Sequence, residues 1–175
     1  MENVMEFKEL NNAMKTIVRH VPDAREGLPE PVFELITTLT PMVNVDLLFR
    51  DTAGRILMTW REDVCGRGWH IPGGICRFKE TMRERLLKTG EKELKATIAF
   101  DTKPLAINEI ILKQKLRGHF ISFLYQCYLP EDYPDIEIME DEKDRYPVGK
   151  MMWHSISPKQ WVKGQKAIYH GLFIH

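Results

Sequence analysis

The chain has 175 residues, and its 25 Lys plus Arg balance 25 Asp plus Glu for a formal net charge of zero. That length suits one domain with a substantial core. A neutral chain has no global electrostatic footprint for nucleic acid or an anionic membrane surface, and no apolar run approaches the ~20 residues that span a bilayer. The N-terminus, Met1-Glu2-Asn3-Val4, lacks the positive-then-apolar pattern of a signal peptide. Cys65, Cys76 and Cys127 form no Cys-x-x-Cys pair and read as buried, reduced thiols of a cytoplasmic protein. A metal or redox pair of Cys65 and Cys76 around His70 finds no further ligands at zinc spacing.

Residues 3–20 carry Phe7, Leu10, Met14, Ile17 and Val18 at spacings of three to four, with Lys8, Glu9 and Lys15 opposite. This predicts an amphipathic helix, which packs either on its own domain or across a homodimer. Prolines in residues 22–31 mark a linker. Residues 33–39 read as a short helix ended by Pro41, and residues 43–49 as a strand around Asp46. A turn at Asp51-Thr52-Ala53-Gly54 leads into residues 55–61, read as the hairpin partner of that strand. A Gly-rich loop and a helix over about residues 80–94 follow. Residues 106–112 and 119–129 read as two strands, and residues 130–150 as a polar, acidic loop. A short strand at 151–156 precedes a helix opened by Ser157-Pro158. Together these elements predict an α+β fold, an α/β/α sandwich with a mixed sheet. Residues 1–31 form the N-terminal helix and linker, and residues 32–175 the domain.

The most informative stretch is Trp69-His70-Ile71-Pro72-Gly73-Gly74, followed by Glu80 and a charged helical run ending near Glu93. A Gly-Gly turn leaves a strand and feeds a helix whose carboxylates lie beside it. That layout suits a hard cation on a diphosphate, since Mg²⁺ takes oxygen ligands and keeps substrate phosphates in its shell. The segment Gly74-x5-Glu80-x7-Lys88 resembles the Nudix box, Gly-x5-Glu-x7-Arg-Glu-U-x-Glu-Glu-x-Gly-U with U aliphatic. Gly74, Glu80 and Glu93 match the pattern. Lys88 stands for Arg, Thr89 and Lys92 for Glu, Gly90 for an aliphatic residue, and Lys95 for the closing Gly. The degenerate second half resembles the GDP-mannose mannosyl hydrolase branch. So do residues 33–46, the strand ending at Arg61 and the strand from His119 to Tyr128; the similarity spans roughly residues 33–160.

The resemblance implies a Nudix fold and Mg²⁺ or Mn²⁺ held by Glu93 with the Gly73 backbone carbonyl. It also implies a supporting role for Gly74 and Glu80 in the box. Lys88 keeps the charge of the family arginine but not its bidentate fork. Arg61 matches an arginine that helps the nucleoside diphosphate leave; the plainer alternative is a pair with Glu62 or Asp63. Asp46, mid-strand among apolar residues, either contacts a sugar or an arginine, or faces solvent. His70 packs beside the site, and His119 reads as a structural histidine. Trp60, Trp69, Phe78 and Tyr128 read as core or cleft wall, with base stacking as the alternative. The branch places a histidine base in the loop before the last strand. Here that loop, residues 139–147, has none, so Glu140, Asp141, Glu142 and Asp144 become candidates for base or metal ligand. His154 falls on the strand instead.

The leading expectation is therefore a Mg²⁺- or Mn²⁺-dependent hydrolase of a nucleoside diphosphate-linked molecule, with a nucleotide-sugar such as GDP-mannose first. Its catalytic candidates are Glu142, Asp141, Asp144 and Arg61, its substrate-binding candidates Asp46, Arg61, Lys88 and His70, and its metal site Gly73 and Glu93. The rival reading is a Nudix-fold nucleotide-binding or regulatory module that has lost catalysis. Sanitation of damaged nucleoside triphosphates is third, because that branch keeps the full set of helix carboxylates.

Overall fold

The strands at the centre of the molecule are the two whose sequences are apolar on both faces. In the computed structural model, which describes residues 2–63, 66–162 and 164–173, these are β1 (Met42–Phe49) and β2 (Ile56–Asp63). Such runs belong to strands covered on both sides. Around them lie β3 (Gly66–His70), β4 (Gly73–Ile75), β5 (Ala99–Phe100), β6 (Ala106–Ile111), β7 (His119–Tyr128) and β8 (Met151–His154). The helices are α1 (Glu2–Arg19), α2 (Glu30–Leu39), α3 (Met82–Leu94) and α4 (Gln165–Tyr169), with a 3₁₀ turn at His170–Phe173.

β1 pairs antiparallel with β4 and parallel with β7, and β5 and β6 both pair antiparallel with β7. β2 forms a second, antiparallel sheet in the order β3-β2-β8. The expected hairpin between residues 43–49 and 55–61 is therefore corrected. Both edges of β1 are occupied, so β2 meets its neighbour only at the Arg50–Ile56 bridge before diverging. Asp51 shapes the turn by accepting from the N–H groups of Ala53 and Arg55.

Side-chain alternation divides the strands between two cores. Val45, Leu47, Phe49 and Leu57 pack with Leu86 and Leu94 of α3, together with Tyr125 and Cys127. On the other face, Leu48, Ile56, Met58, Trp60, Trp69, Leu124 and Met152 pack with Tyr169 of α4. Cys127 is buried and Cys76 half-buried, both as free thiols; burial pushes them up to about 12 and about 11. Cys65 lies outside the described residues. Among the described residues no helix is long and apolar enough to cross a membrane.

Two boundaries differ from expectation by more than two residues. α2 starts at Glu30, inside the expected linker, because a proline in the first turn lacks only an N–H that the helix does not use. No helix opens at Ser157-Pro158. Residues 160–162 instead run beside β3, exchanging the Trp69 N–H to Gln160 O and Val162 N–H to Trp69 O hydrogen bonds, and α4 waits until Gln165. Gly68 makes this approach possible, because a Cβ there would lie 2.5 Å from the Trp161 carbonyl carbon. α3 ends with Lys95 in the left-handed region (φ 57, ψ 34), the conformation that glycine adopts at a helix C-cap without strain. This explains a closing Gly in the box pattern. Lys95→Gly should accordingly raise stability by about 1 kcal/mol, read as an upward shift of the urea midpoint at unchanged m-value.

Candidate active site

α3 starts from a capping box. Thr81 Oγ1 accepts from the Glu84 N–H, and the Glu84 carboxylate accepts from the Thr81 N–H. From there Arg85, Thr89 and Glu93 fall at four-residue intervals and share one side of the helix. That stripe faces the Gly-rich segment at three levels. Arg85 meets Glu80, Thr89 meets Gly74, and Glu93 meets His70.

The middle level is steric. A Cβ on Gly74 would sit 2.6 Å from Thr89 Oγ1 and 3.1 Å from Arg85 Cδ, and one on Gly73 would overlap the Asp46 carboxylate. Neither glycine has positive φ. The expected Gly-Gly turn is thus corrected to a strand, β4, with Gly73 opposite Asp46 and Gly74 opposite Val45. Glycine is needed there for close approach, not for a left-handed backbone. The Thr89 hydroxyl is buried there with no hydrogen-bond partner.

The first level is electrostatic. Glu80 accepts from Arg85 Nε and Nη2 at 2.7 and 2.8 Å and from the Arg77 N–H at 3.0 Å, with Lys88 Nζ also 3.0 Å away. Burial opposes the charged carboxylate, but the Arg85 fork, the Arg77 N–H and Lys88 outweigh it and hold Glu80 at about 2. Glu80 thus locks the box loop to α3, and Lys88 braces it.

The third level is the open one. Glu93 is 22% exposed, and its Oε2 lies 3.6 Å from Nε2 of the nearly buried His70. Burial raises the Glu93 carboxylate, but its contact with His70 and the positive charges of His70, Arg61 and Lys92 bring it below the usual range. His70 Nδ1 lies 2.8 Å from the Thr59 carbonyl oxygen. That oxygen only accepts, so Nδ1 carries the proton and Nε2 is the nitrogen turned toward Glu93. Arg61 lies on the same face of β2 as Thr59, and its Nε pairs with Asp63 Oδ2 at 2.6 Å.

Other expected residues lie elsewhere. Asp46 neither faces solvent nor meets an arginine. It is 1% exposed and accepts from Asn44 Nδ2, Ser122 Oγ and Tyr169 Oη, so it ties α4 to β1. Burial raises its pKa despite those donors. Glu142 accepts from the Lys159 and Gln160 N–H groups at 2.7 and 2.9 Å, one on each oxygen. Its loop is anchored by Tyr146, whose ring meets Trp60 and Trp69 on the face opposite Thr59, His70 and Arg61. Asp141 and Asp144 are exposed. Next to Asp144, Arg145 forks onto Glu62 at 2.8 and 2.9 Å and brings the loop to the end of β2.

His119 pairs with Glu109 at 3.4 Å, and His154 is buried against Trp69, which pushes its pKa down to about 4. Trp60 and Trp69 are fully buried core, Tyr128 donates to Asp101, and Phe78 is exposed. Among the described residues no three His, Cys, Asp or Glu side chains form a metal cluster. The groups that could serve a divalent ion are Glu93, His70 and backbone carbonyls of the Gly-rich segment. Sequence reading passed over Thr59, Ser122 and Tyr169. Of these, only the alternation of Thr59 with Arg61 was a usable signal.

No family model matches the chain. The low-salt glycan biosynthesis protein Agl8 of Haloferax volcanii is 23% identical over 120 residues, covering 66% of this chain and 76% of that protein. A MutT Nudix hydrolase from Burkholderia pseudomallei superposes with a TM-score of 0.54 at 19% identity, over 73% of this chain and 95% of its own. A UDP-X diphosphatase superposes at 0.51 and 15% identity, over 96% of this chain and 77% of its own. The chain therefore has the Nudix fold, as its box resemblance implied, with a mixed sheet flanked by helices.

Because Glu80 falls from an ordinary 4.5 to about 2 on folding, its contribution is fully present above pH 4.5. It is lost as pH drops from 4.5 toward 2. Urea midpoints across that window should lose about 2–3 kcal/mol from this group, and Glu80→Gln should flatten that part of the profile.

Proposed function

We propose that this chain is a divalent-metal-dependent hydrolase of nucleoside diphosphate-linked molecules, with a nucleotide-sugar of the GDP-mannose kind as first candidate. The observation that carries it is the alignment of α3 on the Gly-rich strand, which leaves Glu93 as the partly exposed carboxylate at its end. Glu93 fits a hard ion, and the Gly73 carbonyl is its proposed companion. Bound there, Mg²⁺ or Mn²⁺ would polarise the diphosphate. With one box carboxylate available, substrate phosphates must complete the shell. Arg61 supplies positive charge for the departing diphosphate. Lys88, engaged by Glu80, acts on phosphate through its charge alone. Glu140, Asp141 and Asp144, on the loop that Arg145 brings to the end of β2, remain the candidates for activating water, since both Glu142 oxygens already accept backbone hydrogen bonds. The name of the Haloferax relative places that protein in glycan biosynthesis, which supports the sugar end of the substrate.

The commitment of Glu142 favours one rival, a nucleotide-binding module without turnover. A panel of nucleotide-sugars, assayed with and without Mg²⁺ or Mn²⁺, separates the two. Metal-dependent release should fall about a hundredfold or more in Glu93→Gln and by at least tenfold in Arg61→Ala, while Glu142→Gln should act on stability and leave kcat within about threefold. Free sugar as product identifies attack at carbon, and sugar phosphate identifies attack at phosphorus. Nucleotide binding without turnover across the panel would select the binding module.

The homodimer belongs to the same proposal. Phe7, Leu10, Met14 and Val18 are 44–66% exposed along α1, and an amphipathic helix draws most of its stability from packing that face. Sedimentation should give a dimer for the wild type and a monomer for Phe7→Glu with Leu10→Glu; a monomeric wild type would refute it.

A further inference from the structure

We propose that His70 binds the divalent ion directly through Nε2, sharing it with Glu93, so that the site favours ions that accept nitrogen over Mg²⁺. This rests on the reading of Glu93 as a metal ligand and adds a residue and a selectivity to it.

The geometry of His70 is that of a prepared ligand. Its Nδ1–H donates to the Thr59 carbonyl at 2.8 Å, which fixes both ring orientation and tautomer. Metal-binding histidines are commonly oriented in this way, with the second nitrogen on a backbone carbonyl. The other nitrogen, Nε2, faces Glu93 Oε2 at 3.6 Å, with the Thr59 hydroxyl beside it at 3.2 Å. With no proton on Nε2, this nitrogen and the carboxylate oxygen are both acceptors. A positive charge placed between them removes the conflict.

The separation fits one ion. Donor atoms bonded at about 2.1 Å lie about 3.0 Å apart at right angles and about 4.2 Å apart in line. The observed 3.6 Å falls between these limits. The ring is 5% exposed and sits between β2 and α3, so it has little freedom to turn away.

The chemistry of the box supports the assignment. At positions 89 and 92 the helix carries Thr89 and Lys92 where the box pattern has carboxylates. With a single side-chain carboxylate the site offers Mg²⁺ little beyond that charge, and waters and substrate phosphates must fill its near-octahedral oxygen shell. An imidazole nitrogen beside that carboxylate moves the preference from Mg²⁺ toward Mn²⁺, Co²⁺ and Zn²⁺, most strongly Zn²⁺ and least strongly Mn²⁺. The alternative is a plain His–Glu ion pair that fastens β3 to α3, with any metal held by oxygen alone.

The test uses the full chain stripped of metal, with Mn²⁺ and Mg²⁺ alone as probes. Mn²⁺ bound to the wild type should show electron spin-echo modulation from a directly coordinated nitrogen. In His70→Asn, whose amide can still donate to the Thr59 carbonyl, that signal should vanish. Mn²⁺ affinity should fall at least about tenfold there, with Mg²⁺ affinity changing less than about threefold. The wild-type signal needs no variant to fold. Mn²⁺ binding that depends on Glu93 but shows no nitrogen would overturn the role of His70 and leave the Glu93 site standing. Absence of Mn²⁺ binding, or binding indifferent to Glu93→Gln, would overturn both.

Discussion

The contact between α3 and β4 sets the position of everything else in the site. Gly74 has no Cβ, and the Thr89 hydroxyl sits 2.6 Å from where one would be. This spacing is enforced by repulsion, which rises steeply within a few tenths of an ångström. Once the helix is seated at that distance, one turn in each direction meets a partner. Arg85 reaches Glu80 toward the helix start, and Glu93 reaches His70 toward its end. A regular helix and a strand together place Glu93 without any flexible loop in the path.

The two glutamates show how environment divides one residue type between structure and chemistry. Glu80 is 3% exposed and meets four donors from Arg77, Arg85 and Lys88. Its charge is fully answered, which leaves no capacity for a ligand. Glu93 is more exposed, its nearest charged partner is a histidine at 3.6 Å, and Arg61 acts on it only through the field. A carboxylate held ionised yet short of donors is what an incoming cation meets favourably. The same helix thus carries a closed ion-pair network at one end and an open one at the other.

What could be read from the sequence was local. The Gly73-to-Glu80 spacing, the helix through Glu93 and the existence of β6 and β7 rest on periodicity and short-range pattern. The rest depended on distant partners. Nothing near residue 46 announces that Tyr169, 123 residues away, will donate to it. Glu142 stood first among the catalytic candidates because the partners of its oxygens, the N–H groups of Lys159 and Gln160, lie beyond a strand. The hairpin expectation failed for a related reason. Edge occupancy is a property of the assembled sheet, and β4 and β7 fill both edges of β1. The glycine pair was legible as a pair, but its purpose required knowing that a helix passes over it.

The departures from the box pattern are not equal in consequence. Lys95 occupies a left-handed C-cap and alters stability without touching the site. Lys92 is exposed and adds to the positive field that lowers Glu93. Thr89 is the consequential one. It stands one turn before Glu93, buried against Gly74. A carboxylate there would be desolvated beside Arg85 and would add a second negative charge to the stripe. With a hydroxyl in its place, an ion at Glu93 is balanced by one protein charge instead of two. On the proposed reading, free metal would be held weakly, and the two negative charges of a diphosphate would become part of the binding site. Metal and substrate affinity would then be linked, each strengthening the other by the same factor. If Glu93 holds a metal as proposed, these departures from the box pattern would shift the work of charge balance from the helix to the substrate and favour a diphosphate-linked molecule.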